Sequence, residues 1–357
     1  MVVVHICPLE DDPCNGVLVV VPALVKAQRQ YIDAAVWNVG QPFHIDGLEQ
    51  VFTANAPEEL PPPYNRPDLV VFHELYITCY LKIAKALQRA GTPYIVVPHS
   101  SLNRAAQKKS RLKKAVANCL LFKPLCRRAV GIQYLTEFEK NESIIKKGAF
   151  VSHNGIAAPA QTKAAFHTDE IRFAYIGRIS PYIKGLDLMV QAFGLEKDFL
   201  AAHHCSLHIY GPTDDRGYSY ASEMRTLTEQ SGAQELITLH DAVFGEEKLR
   251  VLLDTDVFIQ TSRSDGMPMG VLEALSCGLP CLVTEGTTLA KKISAENAGW
   301  DGGTTAATIA KALRRAVSDR ESYAAISDNA LRIGKEYNWD SAAQTAIAHY
   351  QDLLKER

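Results

Sequence analysis

Short apolar runs rich in Val, Ile and Leu alternate with amphipathic stretches along the whole of the 357-residue chain. Runs at Val2–Cys7, 34–39, Leu69–His73, 94–98 and 131–135 read as one series of strands, and runs at 173–176, 207–210, 237–239, Val257–Gln260 and 281–284 as a second. Helical patterns fill the gaps: Leu186, Met189, Val190 and Phe193 recur at i, i+3, i+4, i+7, and 76–90 and 306–317 behave alike. Strand–helix alternation of this kind implies parallel sheets covered on both faces, and two successive series imply two doubly wound α/β domains.

The boundary is expected near His153-Asn154-Gly155-Ile156, a turn signal between the two series. That gives domains of 1–155 and 156–340, with a last helix at about 341–357 crossing back onto the first. Residues 57–67 hold five prolines just ahead of a strand and read as a stiff surface loop, not a domain linker.

Composition narrows the class. Hydrophobic residues at 47% and charged residues at 22% exclude a disordered, collagen-like or disulfide-scaffold chain. The longest apolar stretch, 17–25, is half of the roughly 18 residues a spanning helix needs. No basic region precedes the first apolar run, which reads as a strand and not as a signal peptide. Eight scattered cysteines suit a reducing cytosol, so a cytoplasmic protein is expected. A net charge of −2 argues against nucleic acid as a partner. The charge is unevenly placed: residues 1–155 hold 18 Lys+Arg against 13 Asp+Glu (+5), leaving 20 against 27 (−7) from the totals of 38 and 40. The two halves therefore meet different partners.

Two segments carry candidate chemistry. Ile176-Gly177-Arg178-Ile179-Ser180-Pro181-Tyr182-Ile183-Lys184-Gly185 leaves a strand and enters a helix. Ligands of open α/β sheets bind beyond the carboxyl ends of strands, and an Arg fork with a Lys point charge suits a diphosphate. Two solvated surface cations would look the same. The second segment runs from Thr261-Ser262-Arg263-Ser264-Asp265-Gly266-Met267-Pro268-Met269-Gly270 to Glu273 and closes at Gly278-Leu279-Pro280. Its two glycines near a helix start expose backbone N–H groups where the dipole favours an anion or a polar sugar. Asp265 and Glu273 could accept hydrogen bonds from hydroxyls at two points of an elongated ligand; each alone reads as an N-cap Asp and an exposed helical Glu.

Together these segments resemble the retaining nucleotide-sugar glycosyltransferases of family 4, which have the GT-B fold. Pro67-Asp68-Leu69-Val70-Val71-Phe72-His73, Pro98-His99-Ser100-Ser101-Leu102, Thr136-Glu137-Phe138-Glu139, Asn154-Gly155-Ile156 and Tyr337-Asn338-Trp339-Asp340 extend the resemblance from about residue 67 to the end. It implies two Rossmann-like doubly wound domains facing across a cleft, the first for the acceptor and the second for the donor. It implies that Arg178 and Lys184, after Gly177, hold the donor diphosphate and stabilise it as leaving group. Glu273 would accept from the ribose hydroxyls. Asp265 would touch the transferred sugar, aided by backbone N–H groups of Gly266, Met267, Pro268 and Met269. His99 would lie near the donor sugar, Gly16 near the diphosphate, and the base against His240-Asp241-Ala242-Val243. The family's usual Glu is Asp265 here, one methylene shorter, which implies a change of sugar preference. Its usual Gly after the His is Ser100.

The resemblance further implies retention of anomeric configuration without a metal or other cofactor. The expected activity is hexosyl transfer from a UDP-sugar, with a GDP-sugar next, to a glycan or lipid-linked acceptor in polysaccharide or glycoconjugate synthesis. A catalytically silent nucleotide-sugar-binding subunit and a nucleotide-sugar epimerase of the same fold are the alternatives. The Asp254-Thr255-Asp256 triplet resembles a metal-holding pattern but stands at the entering end of a strand, and His203, His204, Cys205 and His208 lack zinc spacing, so no metal is expected. Arg104, Lys108, Lys109, Arg111, Lys113 and Lys114 crowd one predicted helix, either as a solvated face or as a dock for an anionic membrane.

Overall fold

The computed structural model describes residues 1–10, 16–104, 107, 115–146, 148–215 and 218–356. The chain divides into two compact units, Met1–Gly155 with Asn338–Arg357, and Ile156–Tyr337.

The first unit is built on seven strands: β1 (Val2–Cys7), β2 (Asp33–Asn38), β3 (Val51–Thr53), β4 (Leu69–His73), β5 (Tyr94–Val97), β6 (Gly131–Tyr134) and β7 (Ala149–Val151). They lie in the order β3-β2-β1-β4-β5-β6-β7, each parallel to its neighbours. The chain winds outward from β1 in one direction and then in the other, so the topological switch lies between β1 and β4. Alternation along β1 divides its side chains between two cores. Val4 and Ile6 join Phe72, Tyr80, Ile83 and Leu87 beneath the helix Cys79–Ala90. Cys7 joins Val21, Val25 and Val36 beneath the helix Gly16–Gln28. The last helix, Trp339–Lys355, packs along that first helix and buries Ala342, Ala343, Ala346, Ile347 and Tyr350. Asn338 caps it, its side chain accepting from the Ser341 N–H at 2.8 Å.

The second unit repeats the plan with β8 (Ile171–Ile176), β9 (Cys205–Tyr210), the small hairpin strands β10 (Asp214–Asp215) and β11 (Tyr218–Ser219), β12 (Ile237–His240), β13 (Val257–Gln260), β14 (Cys281–Val283) and β15 (Gly299–Asp301). Its sheet runs β12-β9-β8-β13-β14-β15, again all parallel, with the switch between β8 and β13. Phe173, Tyr175, Phe193, Leu207 and Ile259 lie in its core. The helix Ala306–Ser318 starts at a capping box in which Thr305 and Thr308 satisfy each other's backbone N–H.

Three strands of three residues, β3, β7 and β15, were not predicted: the runs are too short for periodicity to register. The proline-rich stretch is not wholly a surface loop, because Leu60 and Tyr64 enter the first unit's core. The cysteines at 7, 79, 119, 126, 205, 277 and 281 are free thiols. Among the described residues no helix is long and apolar enough to cross a membrane.

Candidate functional site

Because β8 and β13 are neighbours at the switch, the loops leaving their carboxyl ends lie side by side. One is the Gly177–Gly185 segment and the other the Thr261–Pro268 segment, so two motifs some 80 residues apart in the chain become adjacent. Gly185 is the point of closest approach. At φ 64° it opens the helix Leu186–Leu195, and a Cβ there would stand 1.9 Å from the Thr261 carbonyl oxygen. Only glycine fits. Thr261 Oγ1 donates to the Gly185 carbonyl at 2.7 Å and the Arg263 N–H to that of Ile183 at 3.0 Å. Arg263 then forks onto Asp187, both bonds 2.7 Å, with its guanidinium 4.3 Å from the Tyr182 ring centre. Arg263, Asp187 and Tyr182 staple the two loops; sequence reasoning passed over them because the pairing depends on strand order.

The staple brings Lys184 and Asp265 together. Lys184 Nζ is 2.5 Å from Asp265 Oδ2, and the side chains are 19% and 13% exposed. Gln260, at the end of β13, donates Nε2 to the same carboxylate oxygen at 2.9 Å. Asp265 therefore does not cap the following helix, Met269–Ser276, whose N-cap is Pro268 without a side-chain bond. Arg178 stands half-buried on the other arm of the first loop, its carbonyl accepting from the Tyr175 hydroxyl at 3.0 Å. Burial pushes that tyrosine's pKa up.

Glu273 is the fifth residue of the helix, a little over one turn from its start. Its carboxylate pairs with Lys248 of the helix Gly245–Asp254. Lys248 was also missed, since nothing in the spacing links 248 to 273. The expectation that Gly266 to Met269 all offer backbone N–H groups needs correcting. Pro268 has no N–H, and that of Met269 is spent on the Met267 carbonyl at 3.0 Å. Gly266 and Met267, both buried, keep the expected position ahead of the helix.

At the outer strands of this sheet, Tyr210 and His240 are paired in register at the ends of β9 and β12. Their rings stack at 4.3 Å with 10° between planes, next to Ala242 and the buried Val243. Burial lowers the His240 pKa and raises that of Tyr210.

In the first unit, His99 follows β5 in a loop where His99 (φ 46°) and Ser100 (φ 64°) both adopt the left-handed region. That backbone explains why glycine suits position 100 and why Ser100 needs support. Glu139 supplies it: its buried carboxylate accepts from the Ser100 N–H at 2.5 Å and the Leu135 N–H at 2.8 Å. Glu139 lies in the short helix Glu137–Glu142, which Thr136 caps by accepting from the Glu139 N–H at 3.1 Å. Burial raises the Glu139 pKa although both N–H bonds pull it down. Gly16 is the exposed first residue of the helix that follows β1.

The two doubtful metal motifs have structural uses. Asp256 accepts from the backbone N–H groups of Arg172 (2.9 Å) and His167 (3.1 Å), lies 3.0 Å from His167 Nδ1 and pairs with Lys163 at 3.2 Å. Both side chains of that ion pair are 1% exposed, and burial lowers the Lys163 pKa despite the pairing. His208 Nδ1 meets His240 Nε2 at 3.0 Å. Among the described residues no group of three or more His, Cys, Asp or Glu is placed to hold a metal ion. Of the basic cluster only Arg104, which is exposed, is described; Lys108, Lys109, Arg111, Lys113 and Lys114 lie outside the described residues.

Two parallel sheets wound alike, each with its topological switch at the centre, give the GT-B architecture. Residues 159–332, within the second unit, match the family model "Glycosyl transferases group 1". Solved structures agree over the full length. The Anabaena protein Alr3699/HepE, crystallised with UDP and glucose, is 16% identical and superposes with a TM-score of 0.70, covering 99% of this chain and 100% of its own. Sucrose-phosphate synthase from Thermosynechococcus elongatus is 15% identical with a TM-score of 0.74, covering 99% of each chain. WaaG, a glycosyltransferase of lipopolysaccharide biosynthesis, is 12% identical with a TM-score of 0.69, covering 97% and 98%. No curated protein sequence matches this chain.

Proposed function

We propose that this glycosyltransferase moves a hexosyl group from a UDP-sugar, with retention of configuration, to a glycan or lipid-linked acceptor. The observation that carries the reading is the convergence of Lys184, Asp265 and Gln260 at the switch of the second sheet, inside the matched module. UDP is favoured over GDP because Alr3699/HepE, of the same fold, was crystallised with UDP and with UDP-glucose.

In this reading the second unit takes the donor and the first the acceptor. Glu273 accepts from the ribose hydroxyls, and the base rests by Ala242 and Val243 beside the Tyr210–His240 stack. Gly177, Arg178 and Lys184 surround the diphosphate, with Gly16 close to it. Asp265 holds a hydroxyl of the transferred sugar, with Gly266, Met267, Pro268 and Met269 shaping the loop around it, and His99 contacts the same sugar.

Cleavage builds positive charge on the sugar ring and negative charge on the leaving diphosphate. Preorganised cations at Arg178 and Lys184 stabilise that anion by several kcal/mol without moving. No carboxylate of the site is a free nucleophile: Asp265 is committed to Lys184 and Gln260, and Glu273 to Lys248. Front-side substitution, in which the departing phosphate takes the acceptor proton, fits this arrangement best. The reading needs no metal. It places the protein in the cytoplasm, with the basic segment from Arg104 through Lys108, Lys109, Arg111 and Lys113 to Lys114 against an anionic membrane that presents a lipid-linked acceptor.

The test is proton NMR of the product made from an α-linked donor. An α-linked product supports the reading, and a β-linked product overturns retention. Donor epimerised without any acceptor would favour the epimerase alternative, and donor bound but never turned over the silent subunit.

A further inference from the structure

Strand register aligns His5 of β1 with Val71 of β4, two residues short of His73, so both histidines occupy the same face of the first sheet. Neither is more than 1% exposed. His5 Nδ1 lies 2.9 Å from His73 Nε2, and His73 Nδ1 lies 3.0 Å from His99 Nε2. The rings step across the sheet with centres 5.2 and 5.3 Å apart and nearly stacked planes. A row of three imidazoles, buried at His5 and His73 and half-buried at His99, thus ends on the carboxyl edge of the sheet.

A neutral imidazole has one N–H and one lone pair, so a row of neutral rings has a direction. Burial makes the rings neutral: it lowers His5 and His99 to about 4 and holds His73 well below its ordinary value. The direction is set at the far end of the row. Gln133 donates Nε2 to the Ser152 carbonyl at 3.2 Å, which leaves its Oε1 to accept from the Tyr350 hydroxyl at 3.0 Å. Having spent its hydrogen, that hydroxyl can only accept, and the buried Gln28 Nε2, which has no hydrogen-bond partner of its own, is the donor group beside it. Gln28 Oε1 is thereby turned to His5 Nε2, 2.7 Å away. From the Ser152 carbonyl onward every hydrogen points the same way. Each ring then carries its hydrogen on Nε2 and its lone pair on Nδ1.

We propose that His5, His73, Gln28 and Tyr350 are positioning residues that fix His99 as its Nε2–H tautomer, so that His99 Nδ1 meets a sugar hydroxyl as a hydrogen-bond acceptor. The sugar contact rests on the functional reading above; the tautomer does not. Sequence could not show the row, because strand order and register decide which histidines meet.

Two-bond proton–nitrogen correlation spectra of the full chain, labelled with ¹⁵N-histidine, report each ring's tautomer. The free wild-type protein should show His99 with hydrogen on Nε2. Tyr350→Phe, which keeps the ring and removes only the hydroxyl, and His73→Leu should each turn His99 into a mixture of tautomers. His73→Gln should restore it, since its amide can accept from His99 and donate to His5. A wild-type His99 that carries its hydrogen on Nδ1, or is already mixed, overturns the proposal. So does a His99 tautomer unchanged by both Tyr350→Phe and His73→Leu. Titration with whichever UDP-, GDP- or ADP-sugar binds should move the His99 Nδ1 resonance, whereas the matching nucleoside diphosphate should not. An Nδ1 resonance indifferent to the sugar overturns the sugar contact while the tautomer assignment, read in the free protein, stands.

Discussion

Lys184 and Asp265 stand 81 residues apart in the chain and form a half-buried ion pair of 2.5 Å at the switch of the second sheet. The cation assigned to the diphosphate is therefore held by the carboxylate assigned to the sugar. A diphosphate entering this site meets a pair whose charges already balance, and shares Lys184 with Asp265.

Opposite effects follow from breaking the pair from its two sides. Lys184→Ala removes a cation and unmasks Asp265, so UDP should bind at least tenfold more weakly while uridine binding stays within about threefold; charge-assisted bonds are worth about 1.5–3 kcal/mol. Asp265→Asn frees Lys184, so UDP alone should bind a few-fold more tightly although sugar transfer falls by roughly a hundredfold. Calorimetry at fixed salt separates the two. Weaker UDP binding in both variants would refute the shared-cation account.

Asp256 should matter for stability and not for metal. Removing one partner of a buried, hydrogen-bonded ion pair costs about 3–5 kcal/mol. Asp256→Ala should lower the urea midpoint of the second unit accordingly, and EDTA should leave the wild-type midpoint where it was. A midpoint sensitive to EDTA would restore the metal reading of Asp254-Thr255-Asp256.

Acid should weaken the first unit through its histidine row. His5 and His99 titrate at about 4 in the folded protein against an ordinary 6.5, so between those limits the unfolded chain binds more protons. Their neutral, buried form is fully favourable above 6.5, and stability falls as pH drops from there towards 4. The slope is roughly 1 kcal/mol per pH unit for each ring. Urea unfolding at pH 7.5, 6 and 5 should show the decline, with a shallower slope in His5→Phe. Equal stability at pH 7.5 and 5 would contradict it.

The basic segment should bind anionic surfaces. Each Lys or Arg near such a surface contributes about 1 kcal/mol. Changing Lys108, Lys109, Lys113 and Lys114 to Glu should abolish co-sedimentation with phosphatidylglycerol vesicles and leave UDP binding alone. Undiminished co-sedimentation would remove the membrane from the account.

What could be read from the sequence and what could not divide along physical lines. Continuous apolar runs identified ten strands, because a parallel strand buried on both faces needs them, while Val51–Thr53 and Gly299–Asp301 are too short to register. Lys184, Asp265 and Glu273 were legible because loops at a switch point carry their chemistry in local spacing. Their partners Gln260 and Lys248, and the Arg263–Asp187 pair that staples the loops, were not, since each meets its partner only through the packing of neighbouring strands and helices. Glu139 lay within a recognisable segment, yet its bond to the Ser100 backbone depends on how two loops pack. The row from Gln28 to His99 depends on the register of β1 and β4 and on a face that the alternation of β1 alone leaves open.

The most direct test of the account is calorimetric titration of the wild-type chain and Glu273→Ala with UDP-, GDP- and ADP-sugars, with and without EDTA. One nucleotide-sugar, a UDP-sugar first, should bind the wild type regardless of EDTA and bind Glu273→Ala about 10- to 100-fold more weakly, as the loss of a charged hydrogen-bonding partner requires. A wild type that binds none of them, or a Glu273→Ala that binds as well as the wild type, would contradict the donor site described here.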